Sequence, residues 1–203
     1  MANVDPVAPP GLTMREVAAA AADRNVTLEV ATRQERAQLL DIAKLIFPDS
    51  ATWEKEKENV KHYSETPRQS GMRGLVCLVA KSKNGDLVGY IFYQPERRRK
   101  TEVYIKEMGV SPKIGSKGIG VVLLGHVVAE AQQNNRSAIK LYTTMDKDSK
   151  QGYYAKWGFT PVPDDKYDDE GYRTDHETPD KKSLLMKGDV NAVGLAISGW
   201  LNK

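Results

Sequence analysis

Residues 109–120, GVSPKIGSKGIG, constrain the fold of this chain more than any other segment. They separate a strand-like run, TEVYIKEM, from the run IGVVLLGHVVAEAQQNN, in which apolar residues recur as they do in a buried helix. Glycine has no Cβ, so a main chain rich in glycine can approach a ligand closely. A strand, a bare turn and a helix N-terminus together make a site suited to an anion.

Length and charge narrow the choice of partner. The chain has 203 residues, which suits one domain with a well-buried core. Its 30 basic and 27 acidic side chains nearly balance, so nucleic acid is not the expected partner. The single cysteine, Cys77, lies in the apolar run GLVCLVAK and is interpreted as a core residue. It excludes an intrachain disulfide and a cysteine-rich metal site.

We expect neither a secretory signal nor a membrane span in this sequence. Asp5 and three prolines interrupt the first residues, where a signal peptide would need a continuous apolar stretch. No other stretch approaches the length of a transmembrane helix. We therefore expect a cytoplasmic protein without a membrane partner.

The predicted elements form a mixed series of strands and helices. Thr13 is expected to cap a short helix that ends at Asp23, Asp189 is expected to cap the C-terminal helix, and the turn KNGD predicts a hairpin. Such a series favours an α/β sandwich about one twisted sheet over a strictly alternating parallel fold. In chain order the elements are a strand at 26–32, helices at 33–47 and 50–65, strands at 74–82, 87–94 and 101–110, a helix at 119–135, a strand at 138–144, a helix at 149–157, strands at 158–162 and 182–188, and a helix at 189–203.

This order, together with VSPKIGSKGIGVVLL and YYAKWGF, resembles the GNAT superfamily of acetyl-CoA-dependent N-acetyltransferases. The resemblance implies an α/β (α+β) fold with a mixed, mostly antiparallel sheet of six to seven strands, splayed between strands 4 and 5 and flanked by helices. It implies a GNAT domain over 26–188, a flexible or short-helical extension over 1–25, and a packed C-terminal helix over 189–203. The residues that carry it are Val110, Pro112, Gly118, Gly120, Tyr154, Gly158 and Phe159.

The resemblance also places acetyl-CoA at the glycine turn. Backbone N–H groups there would face the pyrophosphate, and a Cβ at Gly118 or Gly120 would hold it off. The chain has Gly115 where the family usually has arginine or glutamine, and Ser116 where it has glycine. Gly109 is expected to mark the bulge that opens the sheet. The predicted cofactor-binding residues are Met108, Val110, Lys113, Gly115, Ser116, Lys117, Gly118, Ile119 and Gly120.

Four residues are candidates for proton transfer. Tyr154 occupies the family's position for protonating the departing CoA thiolate, whereas the adjacent Tyr153 is expected to face another way. Tyr104 and Tyr142 are expected to hold a water that deprotonates the amine, with Glu102 as a proton sink. Strand alternation puts Glu102 on the same face as Tyr104 and Glu107 on the other. Packing in the core is the alternative role for all three tyrosines.

The sequence says less about the amine that accepts the acetyl group. VYIKEMGV and the IFP ending of the first long helix look like the RimI-like and Naa50-like N-terminal protein acetyltransferases, which favours a protein or peptide amine. An acidic loop at 164–170 favours a small amine instead, such as a polyamine, an amino acid or a drug. A degenerate acyl-CoA-binding module is the third class. Expected acceptor-side residues are Phe47, Pro48, Tyr167 and Tyr172; no metal is expected, and the chain is expected to be a monomer or homodimer.

Overall fold

The part of the chain that the structure describes is built on one seven-stranded sheet in the order β1-β2-β3-β4-β5-β7-β6. A computed structural model describes residues 11–48, 57, 58, 60, 61, 74–95, 101–114, 117–144, 151–162 and 183–202. All neighbouring strands are antiparallel except β4 and β5, which are parallel, so the predicted mixed and mostly antiparallel sheet is confirmed. The strands are β1 (Val26–Val30), β2 (Val76–Ser82), β3 (Leu87–Pro95), β4 (Glu102–Val110), β5 (Ala138–Thr144), β6 (Thr160–Pro161) and β7 (Ser183–Asp189).

Helices cover both faces of the sheet. On one face, α3 is packed between the sheet, α1 and α5, and its side chains join the larger apolar core. On the other face, α2 packs on β3 and β4 over a smaller core that contains Tyr90, Phe92 and the buried Cys77. The helices are α1 (Met14–Asp23), α2 (Arg36–Ile46), α3 (Ile119–Gln133), α4 (Gln151–Ala155) and α5 (Val190–Leu201).

Helix α3 is apolar on nearly all sides because it is enclosed. Of its 15 residues, ten are buried, which exceeds the single apolar stripe of a surface helix. Helices α1 and α5 supply the additional cover. Both begin at predicted caps: the Thr13 hydroxyl accepts from the Glu16 N–H at 3.2 Å, and the Asp189 carboxylate accepts from the Ala192 N–H at 2.9 Å.

The β-bulge in β4 lies at Lys106, so the prediction that Gly109 marks the bulge is wrong. Phe92 pairs with Glu107 and Tyr93 with Ile105, so Lys106 is the extra residue, whereas Gly109 pairs regularly with Tyr90. Gly109 is bare because a Cβ there would stand 2.5 Å from Cδ1 of Ile46 in α2. Its packing against α2 accounts for the glycine.

The bulge also corrects the predicted faces of β4. Simple alternation placed Glu107 opposite Tyr104, but one extra residue reverses the pattern after Ile105. The Tyr90 hydroxyl donates a hydrogen bond to the Glu107 carboxylate, and Tyr90 belongs to the core under α2. Glu107 therefore shares the α2 face with Glu102 and Tyr104.

The turn KNGD forms the predicted hairpin between β2 and β3, with Gly85 at φ 83°. The predicted helix over 50–65 lies mostly outside the described residues, although Lys57, Glu58, Val60 and Lys61 are helical. In the described part of the chain, no helix has both the length and the apolar character needed to cross a membrane. The described residues also contain no group of three or more His, Cys, Asp or Glu side chains suited to holding a metal ion.

Candidate active site

Strands β4 and β5 separate halfway along their length. They pair from Glu102–Ala138 to Ile105–Leu141, whereas β4 continues to Val110 and β5 to Thr144. The Ser111 N–H donates to the Val88 carbonyl of β3 at 2.9 Å. Amide directions alternate along a strand, so the N–H groups of Met108 and Val110 face away from β3 and into the opening.

The N-terminus of α3 lies at the end of this opening. Gly118 is its N-cap, with φ 74° in the left-handed region. The Gly118 carbonyl accepts from the N–H of Val121 at 3.0 Å and of Val122 at 3.1 Å, while the first N–H groups of a helix have no partner within it. These donors and the helix dipole make the turn favourable for a negative charge.

Gly118 is required by the protein's own packing. A Cβ on Gly118 would stand 2.2 Å from Cη2 of Trp200 in α5 and 3.1 Å from Nε of Arg24. The positive φ also favours glycine. Trp200 already occupies the space where a Cβ of Gly118 would point, so packing alone explains this glycine, and its role beside a phosphate stays a prediction.

Gly120 instead faces the opening. A Cβ on Gly120 would lie 3.1 Å from the Tyr153 hydroxyl, 3.6 Å from Cγ2 of Val110 and 3.9 Å from Cε of Met108. The structure thus brings together Gly120, Met108 and Val110, all of which the sequence predicted. The cradle between them is one that a Cβ would partly fill, which suits the close approach of an acyl-CoA.

Tyr153 joins this group although the sequence did not place it in the site. The predicted role of Tyr154, protonation of the departing thiolate, stays a prediction. Its ring lies 6.1 Å from that of Trp157, and burial raises the pKa of its hydroxyl to about 12. Two adjacent tyrosines on a short helix carry no local signal that says which hydroxyl lies beside Gly120; in the structure it is that of Tyr153.

Tyr154 is more deeply buried than Tyr153. It is 6% exposed, and its ring packs edge-on against Phe159 at 5.8 Å. Burial, with a smaller contribution from Tyr153, raises the pKa of the Tyr154 hydroxyl well above its ordinary value, so the group keeps its proton at neutral pH.

The two lysines of the turn differ in position. Lys117 immediately precedes Gly118, and its side chain is exposed. Lys113 follows the end of β4 and lines a cavity of about 580 Å³ between α2 and the β2–β3 turn, where Asp41 and Asp86 are also found. Ile119 is buried as the first residue of α3, whereas Gly115 and Ser116 lie outside the described residues.

Tyr104 and Tyr142 meet as the sequence predicted. Their rings are 6.0 Å apart and nearly perpendicular, and the Lys106 ammonium lies 4.3 Å from the centre of the Tyr104 ring. Tyr104 is buried and Tyr142 half-buried. The pair lies on the α2 face of the sheet, close to the point where β4 and β5 separate.

Glu102 lies at the other end of β4, where the strands are still paired. Its carboxylate forms an ion pair with Lys140 Nζ at 2.8 Å and accepts a hydrogen bond from Lys187 Nζ at 2.7 Å. Burial opposes the charge of Glu102, but its interactions with the two lysines outweigh burial and hold the pKa of the carboxyl below its ordinary value. A carboxylate held ionised by two cations is a poor proton acceptor.

Glu107 is the carboxylate that the sequence analysis left out of the site. It is half-buried, directly precedes Met108, and is bonded to Tyr90. The bulge at Lys106, which the residue pattern does not announce, is what turns it to the face of Tyr104.

The end of α2 covers the same part of β4. Ile46 touches Gly109, and the chain then continues through the half-buried Phe47 and the exposed Pro48. The Phe47 N–H still bonds to the Ala43 carbonyl at 2.8 Å, which fixes this end of the helix. Phe47 and Pro48 thus directly follow, along the chain, the residue that meets Gly109, while Tyr167 and Tyr172 lie outside the described residues.

Comparisons with solved structures agree on this architecture. A GNAT-family acetyltransferase from Staphylococcus aureus has a TM-score of 0.64 at 16% identity, covering 81% of this chain and 99% of that one. PaiA N-acetyltransferase from Thermoplasma acidophilum, solved with coenzyme A, has a TM-score of 0.61 at 15% identity, covering 81% and 98%. The Escherichia coli ribosomal-protein-S18-alanine N-acetyltransferase has a TM-score of 0.59 at 13% identity, covering 82% and 94%.

At these identities the structural neighbours establish the fold alone. A search of curated proteins found no match to the sequence. The model of the acetyltransferase (GNAT) family, however, matches residues 36–159, which is more than half of the chain and includes β4, the glycine turn, α3 and α4. This chain therefore belongs to the GNAT family and is an acetyl-CoA-dependent acetyltransferase.

Proposed function

We propose that the enzyme transfers the acetyl group directly to a primary amine of a protein or peptide, in a ternary complex with acetyl-CoA. The observation that carries the proposal is the open edge of β4 at Met108–Val110, which lies between the N-terminus of α3 and the end of α2. An acyl-CoA approaches from the α3 side and the amine from the α2 side. The acceptor then passes Phe47 and Pro48.

A main-chain N–H group stabilises the reacting carbonyl in this proposal. One of the two N–H groups that face the opening, that of Met108 or that of Val110, donates to the thioester oxygen as negative charge develops on it. These donors are fixed by the pairing of β4 with β3, so they need little reorganisation. No side chain is required for this step.

The amine loses its proton on the α2 face. Most alkyl amines are protonated near neutral pH, so an acceptor for that proton is needed. Tyr104 and Tyr142 hold the water that receives it, and Glu107 replaces Glu102 as the proton sink because Glu102 is bound by two lysines. On the other side, Tyr154 donates its proton to the departing thiolate.

A panel of acceptors tests the proposal. Thiol release from acetyl-CoA is measured with peptides that have a free N-terminus, with N-terminally blocked peptides that contain lysine, and with polyamines and amino acids. The one cysteine of the chain is buried, so it contributes little background to a thiol reagent. Mass spectrometry of the product identifies the acetylated amine.

Each outcome of the panel has a distinct meaning. Acetylation of peptides well above small amines supports the proposal. Turnover confined to polyamines, amino acids or drugs replaces it with the small-amine alternative that the acidic 164–170 segment favours. Thiol release without any acetylated amine would contradict both acceptor classes.

A further inference from the structure

We propose that Arg24 binds a phosphate of coenzyme A at the N-terminus of α3, and that Trp200 holds its guanidinium in place. The inference rests on acetyl-CoA binding at the glycine turn. It assigns to a residue outside the family-matched segment 36–159 the positive charge that Gly115 does not supply.

The geometry places Arg24 at the turn. Arg24 is the C-cap of α1, and its Nη1 donates to the Ala20 carbonyl at 2.8 Å. Its Nε lies 3.1 Å from the point where a Cβ on Gly118 would stand, and Gly118 is the N-cap of α3. The guanidinium thus reaches the end of α3 whose N–H groups are unpaired within the helix.

Trp200 fixes the orientation of this side chain. The guanidinium carbon lies 4.6 Å from the centre of the Trp200 ring, in a cation–π contact. The Trp200 ring also packs edge-on against Trp157 at 5.8 Å, and Trp157 packs against Tyr153. A row of rings therefore runs from Arg24 beside Gly118 to the Tyr153 hydroxyl beside Gly120.

Electrostatics indicate an anion as the missing partner. Arg24 Nε is buried beside Gly118 and Trp200 and has no hydrogen-bond partner among the described residues, so a phosphate would be met by the terminal nitrogens of the guanidinium. A guanidinium is always charged and lies here beside the positive N-terminus of α3, an arrangement of like charges that a bound anion would stabilise. A phosphate would accept from both the guanidinium and the helix N–H groups, and arginine suits phosphate geometry.

The elements that create this contact are additions to the matched family core. Helix α1 brings Arg24, and α5 brings Trp200; both pack against α3. Gly115 stands where the family usually has an arginine or glutamine that binds phosphate. In this proposal the chain obtains its cation from an element packed beside the turn instead. The proposal therefore gives α1 and α5 a role in binding as well as in stability.

Calorimetric titration of coenzyme A tests the proposal without relying on turnover. Arg24→Gln is expected to weaken binding on the order of tenfold to a hundredfold, the effect of losing a charge-assisted hydrogen bond, and to reduce its salt dependence. Arg136→Gln is the matched control, because Arg136 is also half-buried and lies beyond the opposite end of α3. The control is expected to bind as the parent does.

Phosphate-deleted ligands separate binding from folding. An acetyl thioester of a pantetheine fragment without phosphate should be bound equally by parent and Arg24→Gln. With 3′-dephospho-CoA, a difference that persists assigns Arg24 to the pyrophosphate, and one that disappears assigns it to the 3′-phosphate. Equal affinity of parent and Arg24→Gln for coenzyme A, with only a lower melting temperature, would overturn the proposal.

A measurement on the parent protein covers the case in which Arg24→Gln does not fold. The Nε–H resonance of Arg24, seen by ¹H–¹⁵N NMR, should shift and exchange more slowly with solvent when coenzyme A is added. An unchanged resonance at saturating coenzyme A would refute the proposal. A parent protein that binds no coenzyme A would instead remove the functional assignment on which it rests.

Discussion

Gly118 and Gly120 are two residues apart and are glycines for different reasons. Gly118 adopts a left-handed φ of 74° and faces Trp200 and Arg24, whereas Gly120 faces the opening next to Val110 and Met108. A motif shows that both positions are glycine but not which of the two is bare for a ligand. That distinction depends on α5, which is distant in sequence.

We therefore predict opposite effects of alanine at the two positions. Gly118→Ala should lower the free energy of unfolding by at least the ~1–2 kcal/mol that a left-handed residue costs, since the Trp200 ring must also move. Gly120→Ala should leave stability unchanged or raise it by up to about 1 kcal/mol, because alanine favours a helix, yet weaken acetyl-CoA binding. Urea unfolding and calorimetric titration measure both. Parental affinity in Gly120→Ala would contradict the site.

Kinetic measurements can also distinguish the roles of the adjacent Tyr153 and Tyr154. If Tyr154 protonates the thiolate, Tyr154→Phe should lower kcat on the order of a hundredfold or more with little change in KM for acetyl-CoA. Tyr153→Phe keeps the ring against Trp157 and is expected to change KM more than kcat, because the Tyr153 hydroxyl adjoins Gly120. Steady-state kinetics on both variants, with melting temperatures from the same preparations, check this. A Tyr154→Phe enzyme with parental kcat would remove Tyr154 from the mechanism.

At the scale of elements, hydrophobic periodicity predicted most of the sheet and its helices. The run of apolar residues in α3, the KNGD turn and the caps at Thr13 and Asp189 are local signals, and each is confirmed. The bulge at Lys106 has no such signal, since VYIKEMGV alternates acceptably in either register. The prediction consequently assigned Glu107 to the wrong face.

The ion pairs across β4, β5 and β7 lead to a prediction about stability. Lys140 is 4% exposed, so Glu102→Gln leaves a buried ammonium without its carboxylate. The free energy of unfolding should fall by about 3–5 kcal/mol, while kcat per folded molecule remains parental. Denaturant titration and kinetics measure the two quantities.

A double variant is the control for the pair. Glu102→Gln with Lys140→Met should recover part of the lost stability, because no buried charge is then left unpaired. Loss of turnover in Glu102→Gln at parental stability would show that Glu102 acts in catalysis instead.

At the scale of the whole molecule, the candidate site depends on contacts that no local pattern contains. Arg24 and Trp200 are near opposite ends of the described chain and meet at Gly118. The separation of β4 from β5 and the contact between Tyr104 and Tyr142 agree with the sequence prediction, because both follow from family motifs. It did not indicate Arg24, since only packing of α1 and α5 on α3 brings that residue to the turn.

His126 is expected to make stability depend on pH. His126 lies on α3, and burial of its side chain lowers its pKa to about 4. The Glu130 carboxylate is 3.9 Å from His126 Nε2, but that carboxylate also accepts a hydrogen bond from the Tyr93 hydroxyl. Unfolded histidine binds a proton near pH 6.5, so stability should fall as the pH drops from about 6.5 to 4, by up to about 3 kcal/mol.

The variant His126→Gln isolates this contribution. The difference in unfolding free energy between parent and variant should decrease steadily across that window and become constant below it. The carboxylates titrate in both proteins, so their contributions cancel in the difference in unfolding free energy. A histidine NMR signal lost in the variant and titrating near 6.5 in the parent would contradict the expectation.

The separation of β4 from β5 has a consequence for the exchange of amide hydrogens with solvent deuterium. Up to Ile105, β4 is bonded on both sides, whereas at Met108 and Val110 the N–H groups face the opening. Exchange requires that a hydrogen bond open, so these two amides should exchange quickly while that of Gly109, directed at β3, is retained. Bound acetyl-CoA, acting as an added strand, would slow both. Amide hydrogens of the same strand should thus exchange at two different rates, and binding of acetyl-CoA should reduce the difference between these rates.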